Sequence, residues 1–377
     1  MPTKPFASEQ QRYEYPLDEN SRVIDAGAYH GEWSEEIIRR YNPRILAFEP
    51  LFTTIAAQRL KPHLDSGRIT LVNKALGGSM RKETFAVQEN SSGMFGQRRE
   101  KKQVEVWDVD AVLNPDILPV HLIKLNVEGM EYEILERLLT TGKITGVDNL
   151  QVQFHGGPEG ANVLWYELDK RIQLTHEREW GHNAFIWVSY KKAEPFPDGF
   201  SQSGQDRFAF LLLGRDRTFL DLGCSHPKER SNTWALEQMG WTGLAIDSEP
   251  NAVAMWSGVR KTQAICVDAT NHYFGADYDY LSLDVDADSL KALHNLASQR
   301  IRFSVLTVEH NRYSDGETLR GPMRELLRSE GYNLIAEDVT DQNCEYEDWW
   351  VSAELEQYAR RFVSAGKNGR EIVGCQP

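Results

Sequence analysis

Arg22-Val-Ile-Asp25-Ala-Gly27-Ala-Tyr29-His30-Gly31 and Thr218-Phe-Leu-Asp221-Leu-Gly223-Cys-Ser225-His226-Pro227 follow one pattern: a short apolar run, an aspartate, a spacer, a glycine, then a helical segment. An apolar strand that closes on a glycine turn is how a doubly wound parallel sheet passes its chain into a helix. A pattern met twice constrains the fold more than any local propensity does.

The later landmarks recur in the same order. Ile45-Leu-Ala-Phe-Glu49-Pro50 answers Gly243-Leu-Ala-Ile-Asp247-Ser-Glu249-Pro250, and Leu71-Val-Asn73 answers Ile265-Cys-Val-Asp268. His121-Leu-Ile-Lys-Leu-Asn126-Val-Glu128-Gly129 answers Tyr278-Asp-Tyr-Leu-Ser-Leu-Asp284-Val-Asp286-Ala287. Leu150-Gln-Val-Gln-Phe-His155 is matched to Leu306-Thr-Val-Glu309-His310, and Asn183-Ala-Phe-Ile-Trp-Val188 to Asp348-Trp-Trp-Val351. Gene duplication or fusion is the economical account. A stretch dense in proline, glycine and serine separates the halves and reads as a linker. The expected organisation is a domain at 1–192, a linker at 193–204 and a second domain at 205–377. With amphipathic helices expected at 131–139 and 317–327, each half becomes an α/β, Rossmann-like, doubly wound domain. Ligands of such sheets bind at the carboxyl ends of the strands, where the acidic landmarks fall.

Bulk properties narrow the function. A chain of 377 residues, 41% hydrophobic and 26% charged, suits two cores of ordinary size. A formal net charge of −14 leaves no electrostatic footprint for nucleic acid. The one basic run, Arg-Arg-Glu-Lys-Lys at 98–102, reads as a solvated loop. Cys224, Cys266, Cys344 and Cys375 are too widely spaced for a zinc or redox pair. The polar first twenty residues and the lack of any long apolar run predict no signal peptide, no membrane span and a cytoplasmic location.

The turn suggests the ligand. Glycine lets the backbone approach a ligand closely, so Gly27 and Gly223 supply the space. Glu49 and Asp247, at the end of the second strand of each half, stand where a carboxylate can accept the hydroxyl protons of an adenosine ribose. A dinucleotide would need G-x-G-x-x-G for its pyrophosphate, and neither half has it. Asp25 and Asp221 would repel a pyrophosphate but suit a cationic aminoacyl group, which S-adenosylmethionine carries. The rival readings are a nucleotide-sugar or NAD-dependent oxidoreductase, and a scaffold in which one half has lost its ligand.

These motifs resemble those of FkbM-type methyltransferases. In the first half the likeness runs through V-I-D-A-G-A-Y-H-G-E-W, A-F-E-P, L-I-K-L-N-V-E-G-M-E-Y-E-I-L-E-R-L-L and L-Q-V-Q-F-H, over residues 13–190. The second half, with F-L-D-L-G-C-S-H-P, L-S-L-D-V-D-A-D, L-T-V-E-H-N and E-D-W-W-V over 216–352, resembles a different branch. The resemblance implies S-adenosylmethionine-dependent O-methylation of a sugar hydroxyl in a glycan, polysaccharide or glycosylated metabolite. It assigns the cofactor to Asp25, Gly27, Tyr29, Glu49, Asn73 and Asn126 in the first half, and to Asp221, Gly223, Asp247 and Asp268 in the second. Three departures predict weakening: Asn126 stands where many relatives have aspartate, Ala287 where they have glycine, and Pro227 in place of the last glycine of the first motif. The insert Ser248-Glu249 leaves Asp247 and Glu249 as rival ribose acids.

Transfer to a hydroxyl needs a base, or a metal, to activate the acceptor oxygen. His310 is the expected base, because imidazole titrates near neutral pH. Glu309 and Asp284 are expected beside it. Asp284, Asp286 and Glu309 also offer oxygen ligands for Mg²⁺ or a similar divalent cation in the second domain. In the first half Glu128 and His155 hold the corresponding places, and the amide of Asn126 is a poor metal ligand. The paired aromatics Trp349-Trp350 and Trp187 read as core. The acceptor loops expected at 94–102 and 311–318 carry no substrate code.

Overall fold

A computed structural model describes residue 5 and residues 8–86, 101–181 and 186–374. The chain divides into two compact units, 1–195 and 196–377.

The first unit is built on strands β1 (Arg22–Ala26), β2 (Arg44–Phe48), β3 (Ile69–Val72), β4 (Ala75–Gly77), β5 (Arg81–Ala86) and β6 (Lys101–Asp108). These are followed by β7 (Leu122–Leu125), β8 (Asn149–Gln153), β9 (His176–Trp180) and β10 (Trp187–Lys192). Seven of them form one sheet in the order β3-β2-β1-β7-β8-β10-β9, parallel from β3 to β8 and closed by the antiparallel β9–β10 hairpin. Strands β4, β5 and β6 make a separate small sheet between β3 and β7.

Alternation explains why both faces of the large sheet are apolar. Along β1, Ile24 joins a core with Phe48, Leu125, Val152 and Leu135, whereas Val23 joins the other with Trp33, Ile37, Ala47 and Leu122. The helix Glu131–Thr140 presents Ile134, Leu135 and Leu138 to the first core, and Glu32–Tyr41 presents Trp33, Ile37 and Ile38 to the second.

The second unit repeats this plan with β11 (Thr218–Leu222), β12 (Thr242–Asp247), β13 (Ala264–Cys266), β14 (Tyr280–Leu283), β15 (Val305–Glu309), β16 (Tyr332–Asp341), β17 (Cys344–Ser352) and β18 (Ser364–Ala365). Their order is β13-β12-β11-β14-β15-β17-β16-β18, again parallel through the first five and antiparallel at β17. Helices Ser289–Ser298 and Glu317–Ser329 cover one face. On the other side of the sheet, Phe208 of the helix Gln205–Leu213 stacks on Trp349 at 4.7 Å between ring centroids. The doubly wound α/β fold expected from the repeat is present in both units, and Trp187, Trp349 and Trp350 are all core.

Three local expectations are corrected. The segment expected as a linker at 193–204 is folded into the second unit from Phe196 onward. Phe196 packs on Phe210 at 4.8 Å, and the buried Ser201 accepts from the Gly204 amide at 3.0 Å and donates to Asp206. Lys101 and Lys102, read as loop, open β6, where pairing with Phe85 and Ala86 overrides their charge; residues 94–100 lie outside the described residues, as do 183–185 and Cys375. The strand expected over 183–188 is Trp187–Lys192. No helix among the described residues is long and apolar enough to cross a membrane.

Candidate functional site

At the carboxyl ends of β1, β2 and β7 in the first unit lies a cleft of about 790 Å³ including its open mouth, a concave site with apolar walls and a few polar groups, the usual make-up of a small-molecule site. Gly27, Tyr29, Glu49, Asn126 and Glu128 supply its polar groups, and Phe48, Leu76, Phe85 and Met130 are among its apolar walls. Gly27 has φ +79°, and a Cβ there would stand 1.9 Å from the Asn126 carbonyl oxygen. The glycine is therefore demanded first by the end of β7, against which the turn is pressed.

The turn is held by backbone donors. The amides of Gly27 and Ala28 both donate to the Phe48 carbonyl at 3.0 Å. The Tyr29 amide donates to Glu49 Oε2 at 2.8 Å, while Leu51 and Phe52 donate to Oε1 at 2.8 and 3.0 Å. Burial raises the Glu49 carboxyl above its ordinary range, and the three amides and Lys124 pull it back in part. Asn126 lines the cleft with its Oδ1 buried and without a hydrogen-bond partner. An orphaned acceptor in a cleft is a place for a ligand's donor.

Two of the expected cofactor residues are not in the lining. Asp25 is fully buried, and its oxygens are taken by Lys124 Nζ at 2.8 Å and Ser34 Oγ at 2.6 Å. Asn73 is exposed and accepts from Thr53 Oγ1 at 2.8 Å. Lys124 had no role in the sequence reading, although a lysine inside Leu-Ile-Lys-Leu is a signal, because a buried charge needs a partner. It also donates to the Gly27 carbonyl at 2.7 Å.

Glu128 and His155 do come together. His155 Nε2 is 3.5 Å from Glu128 Oε1, and its Nδ1 is 3.2 Å from the fully buried Glu131. Glu131 also accepts the amides of His155 at 2.7 Å and Gly129 at 2.8 Å, which fixes the loops on both sides. Burial lowers the His155 pKa, but Glu131 and Glu128 raise it by more, so it stands above the ordinary histidine value. Burial raises the Glu128 carboxyl. The arrangement is a carboxylate–imidazole–carboxylate chain running from the core to the cleft.

Residues 25–183 match the family described as Methyltransferase FkbM domain. The match lies within the first unit, which is similar to FkbM methyltransferases over that stretch. Its methyl donor is S-adenosylmethionine, and the unpartnered Asn126 oxygen, the Gly27 turn and the Glu49 carboxylate fit a ligand of that kind. No curated protein matches the chain. Solved structures similar to it include a TehB-like SAM-dependent methyltransferase from Corynebacterium glutamicum, with 16% identity and TM-score 0.31, covering 40% of this chain and 86% of that one. Magnesium protoporphyrin IX methyltransferase from Synechocystis, solved with bound SAM, has 17% identity and TM-score 0.30 over 40% of this chain and 79% of its own. The N-methyltransferase NodS from Bradyrhizobium japonicum has 13% identity and TM-score 0.32 over 40% and 93%.

The second unit repeats the bonds that backbone amides make in the Gly27 turn. Gly223, at φ +83°, would place a Cβ 1.6 Å from the Asp284 carbonyl oxygen. Its amide and that of Cys224 donate to the Ile246 carbonyl at 2.9 and 3.1 Å. The Ser225 amide donates to Asp247 Oδ2 at 2.9 Å, as Tyr29 does to Glu49, so Asp247 and not Glu249 is the counterpart acid. The side chains differ. Ser282 takes the register position of Lys124, and Asp221 is held by the Thr233 hydroxyl at 2.6 Å. Asp268 caps its own turn, accepting from the Thr270 amide at 2.8 Å.

The catalytic set expected in the second unit is divided. Asp284 and Glu309 are hydrogen-bonded to each other, and desolvation together with neighbouring carboxylates pushes both up. His310 is on the opposite side of the strand from Glu309, because consecutive residues alternate faces. It is 1% exposed, its Nδ1 accepts the Arg312 amide at 3.2 Å, and its Nε2 faces Asp348 and Asp338 at 3.5 and 3.6 Å. A base for substrate is not what this imidazole can be. Strand register shows why the match to His155 misled: Leu125 pairs with Val152 and Leu283 with Val308, which puts His310 level with Phe154 and Asn311 level with His155.

The expected metal set of Asp284, Asp286 and Glu309 does not fit a cation either. Strand β14 ends at Leu283, and Asp286 starts a 3₁₀ turn at φ +50°, so Asp284 and Asp286 do not share a strand face. Among the described residues the potential ligand atoms that lie within 4.8 Å of one another belong to His310, Asp338 and Asp348. Arginines already fill that place: Arg324 bridges Asp348 at 2.6 Å and Asp338 at 2.9 Å, and Arg320 clasps Asp338 at 2.6 Å.

Proposed function

We propose that the first unit transfers the methyl group of S-adenosylmethionine to a hydroxyl of a sugar, in a glycan, polysaccharide or glycosylated small molecule, in the cytoplasm. The observation that carries this reading is the cleft at the strand ends, where a glycine turn, a ribose-type carboxylate and an unpartnered amide oxygen face one space beside the Glu128–His155–Glu131 chain. The sulfonium supplies an electrophilic methyl. The acceptor oxygen forms the new C–O bond as the C–S bond breaks and sulfur keeps the pair. Glu128 is placed to take the hydroxyl proton, with His155 beside it to stabilise the carboxylate and Glu131 to hold the ring. In the second unit the shared backbone turn supports common descent by duplication, and Asp247 is held ready in the same way. Around that turn Ser282, Asp284 and Asn311 take the register positions of Lys124, Asn126 and His155, so we assign catalysis to the first unit and a supporting part to the second.

Titration with S-adenosylhomocysteine, on the wild type and on Glu49→Gln and Asp247→Asn, tests this. Loss of the tight site in Glu49→Gln alone is expected. A wild type that binds no S-adenosylhomocysteine, or that binds NAD in its place, overturns it.

A further inference from the structure

We infer that Lys124 is a positioning residue for the cofactor turn, holding the Gly27 carbonyl and through it the wall of the cleft. The inference rests on the reading of that cleft as the S-adenosylmethionine site.

A lysine in the middle of a buried parallel strand is costly unless paired. Lys124 has Asp25 opposite it in register on β1, at 2.8 Å. Stability does not explain the pair, since a buried ion pair is often no better than an apolar pair of the same volume. What the ammonium adds is its second bond, 2.7 Å to the Gly27 oxygen, which reaches out of the core into the turn. The other polar groups of the turn are fixed already, the Gly27 and Ala28 amides on Phe48 and the Tyr29 amide on Glu49. Lys124 thus completes the set, and Ser34 braces Asp25 from the far side at 2.6 Å. The second unit keeps the aspartate and the glycine but has Ser282 in this register position, and there Thr233 holds the aspartate. The lysine is therefore particular to the unit with the methyltransferase family match.

The test compares three variants of the full chain: Lys124→Met/Asp25→Asn, Lys124→Met and Ser34→Ala. Each is measured for thermal stability and for affinity at the S-adenosylhomocysteine site that Glu49→Gln removes. The double variant leaves no unpaired charge and is expected to melt within a few degrees of wild type, yet to bind about tenfold more weakly, the loss of one charge-assisted hydrogen bond. Lys124→Met alone is expected to lose stability as well, because Asp25 is left unpaired. Ser34→Ala, which loosens Asp25 without touching Gly27, is expected to lower the melting temperature and leave affinity unchanged. Wild-type affinity in the double variant, or affinity that follows stability across all three, overturns the inference and leaves the methyltransferase reading intact. A wild type that does not bind takes both down.

Discussion

Asp284 and Glu309 are hydrogen-bonded carboxyl to carboxyl at the ends of two neighbouring strands. Two carboxylates so close cannot both be ionised cheaply, so near neutral pH they hold one proton between them. Both groups are raised above their unfolded values. The stability they contribute is therefore fully present below about pH 4, the unfolded value, and is lost as the pH rises through the folded values. Glu309→Gln removes the second charge. It is expected to leave the melting temperature unchanged near pH 5 and to raise it at pH 9, by about 1 kcal/mol of stability, a small figure because the pair keeps access to solvent. Melting curves across that range check it; a variant less stable than wild type at pH 9 contradicts the shared proton.

The glycine turns predict a cost that is not about the cofactor. A Cβ at Gly27 or Gly223 would enter the van der Waals space of a carbonyl oxygen, at a φ that side chains disfavour. Gly27→Ala and Gly223→Ala are each expected to destabilise their own unit by about 3 kcal/mol or more. Thermal unfolding in the absence of ligand measures this directly, and a variant that melts like wild type while failing to bind would return the glycine to a purely steric role at the ligand.

How much of this was legible in the sequence follows from the range of each signal. The succession of strands along the chain, the helices after β7 and β15 and the acids at the ends of β2 and β12 are written locally, in alternation and in the repeat. The partner of Asp25 is not, because Lys124 is brought to it only by strand pairing. The expectation for His310 fails for the same kind of reason: setting it level with His155 is off by one residue in register, and one residue in a strand is the opposite face. Glu131, read only as the start of a helix, is the buried acid that orients His155. The signal was present in Glu128-Gly-Met-Glu131, but which of the two acids turns inward depends on the positive φ of Glu128.

The arginine cluster predicts indifference to metals. His310, Asp338 and Asp348 have the spacing of a ligand group, but Arg320 and Arg324 already supply its positive charge. Millimolar Mg²⁺ or micromolar Zn²⁺ is expected to shift the melting temperature of the second unit by less than about 1 °C, since only a ligand that binds the native state stabilises it. Arg324→Met should cost about 3 kcal/mol by leaving Asp348 unpaired and buried. A metal-dependent rise in melting temperature of the wild type would show that the arginines yield their place.

Glu131 and His155 give the sharpest test of the proposed catalytic chain. Glu131 is the main reason that the His155 pKa stands above its ordinary value despite burial. A histidine raised in the folded state stabilises fully below its unfolded pKa of about 6.5, and that stability is lost as the pH rises through the folded value. Glu131→Gln should therefore lower the His155 pKa, seen as a shift of its ring resonances in an NMR titration. It should weaken the first unit more at pH 6 than at pH 8.5. Glu128→Gln, which removes the proposed proton acceptor, should leave S-adenosylhomocysteine affinity within about twofold and slow methyl transfer by about a hundredfold. If Glu131→Gln leaves the His155 titration where it was, the ring is not held by the buried acid, and the chain from core to cleft is not the route by which the acceptor hydroxyl is activated.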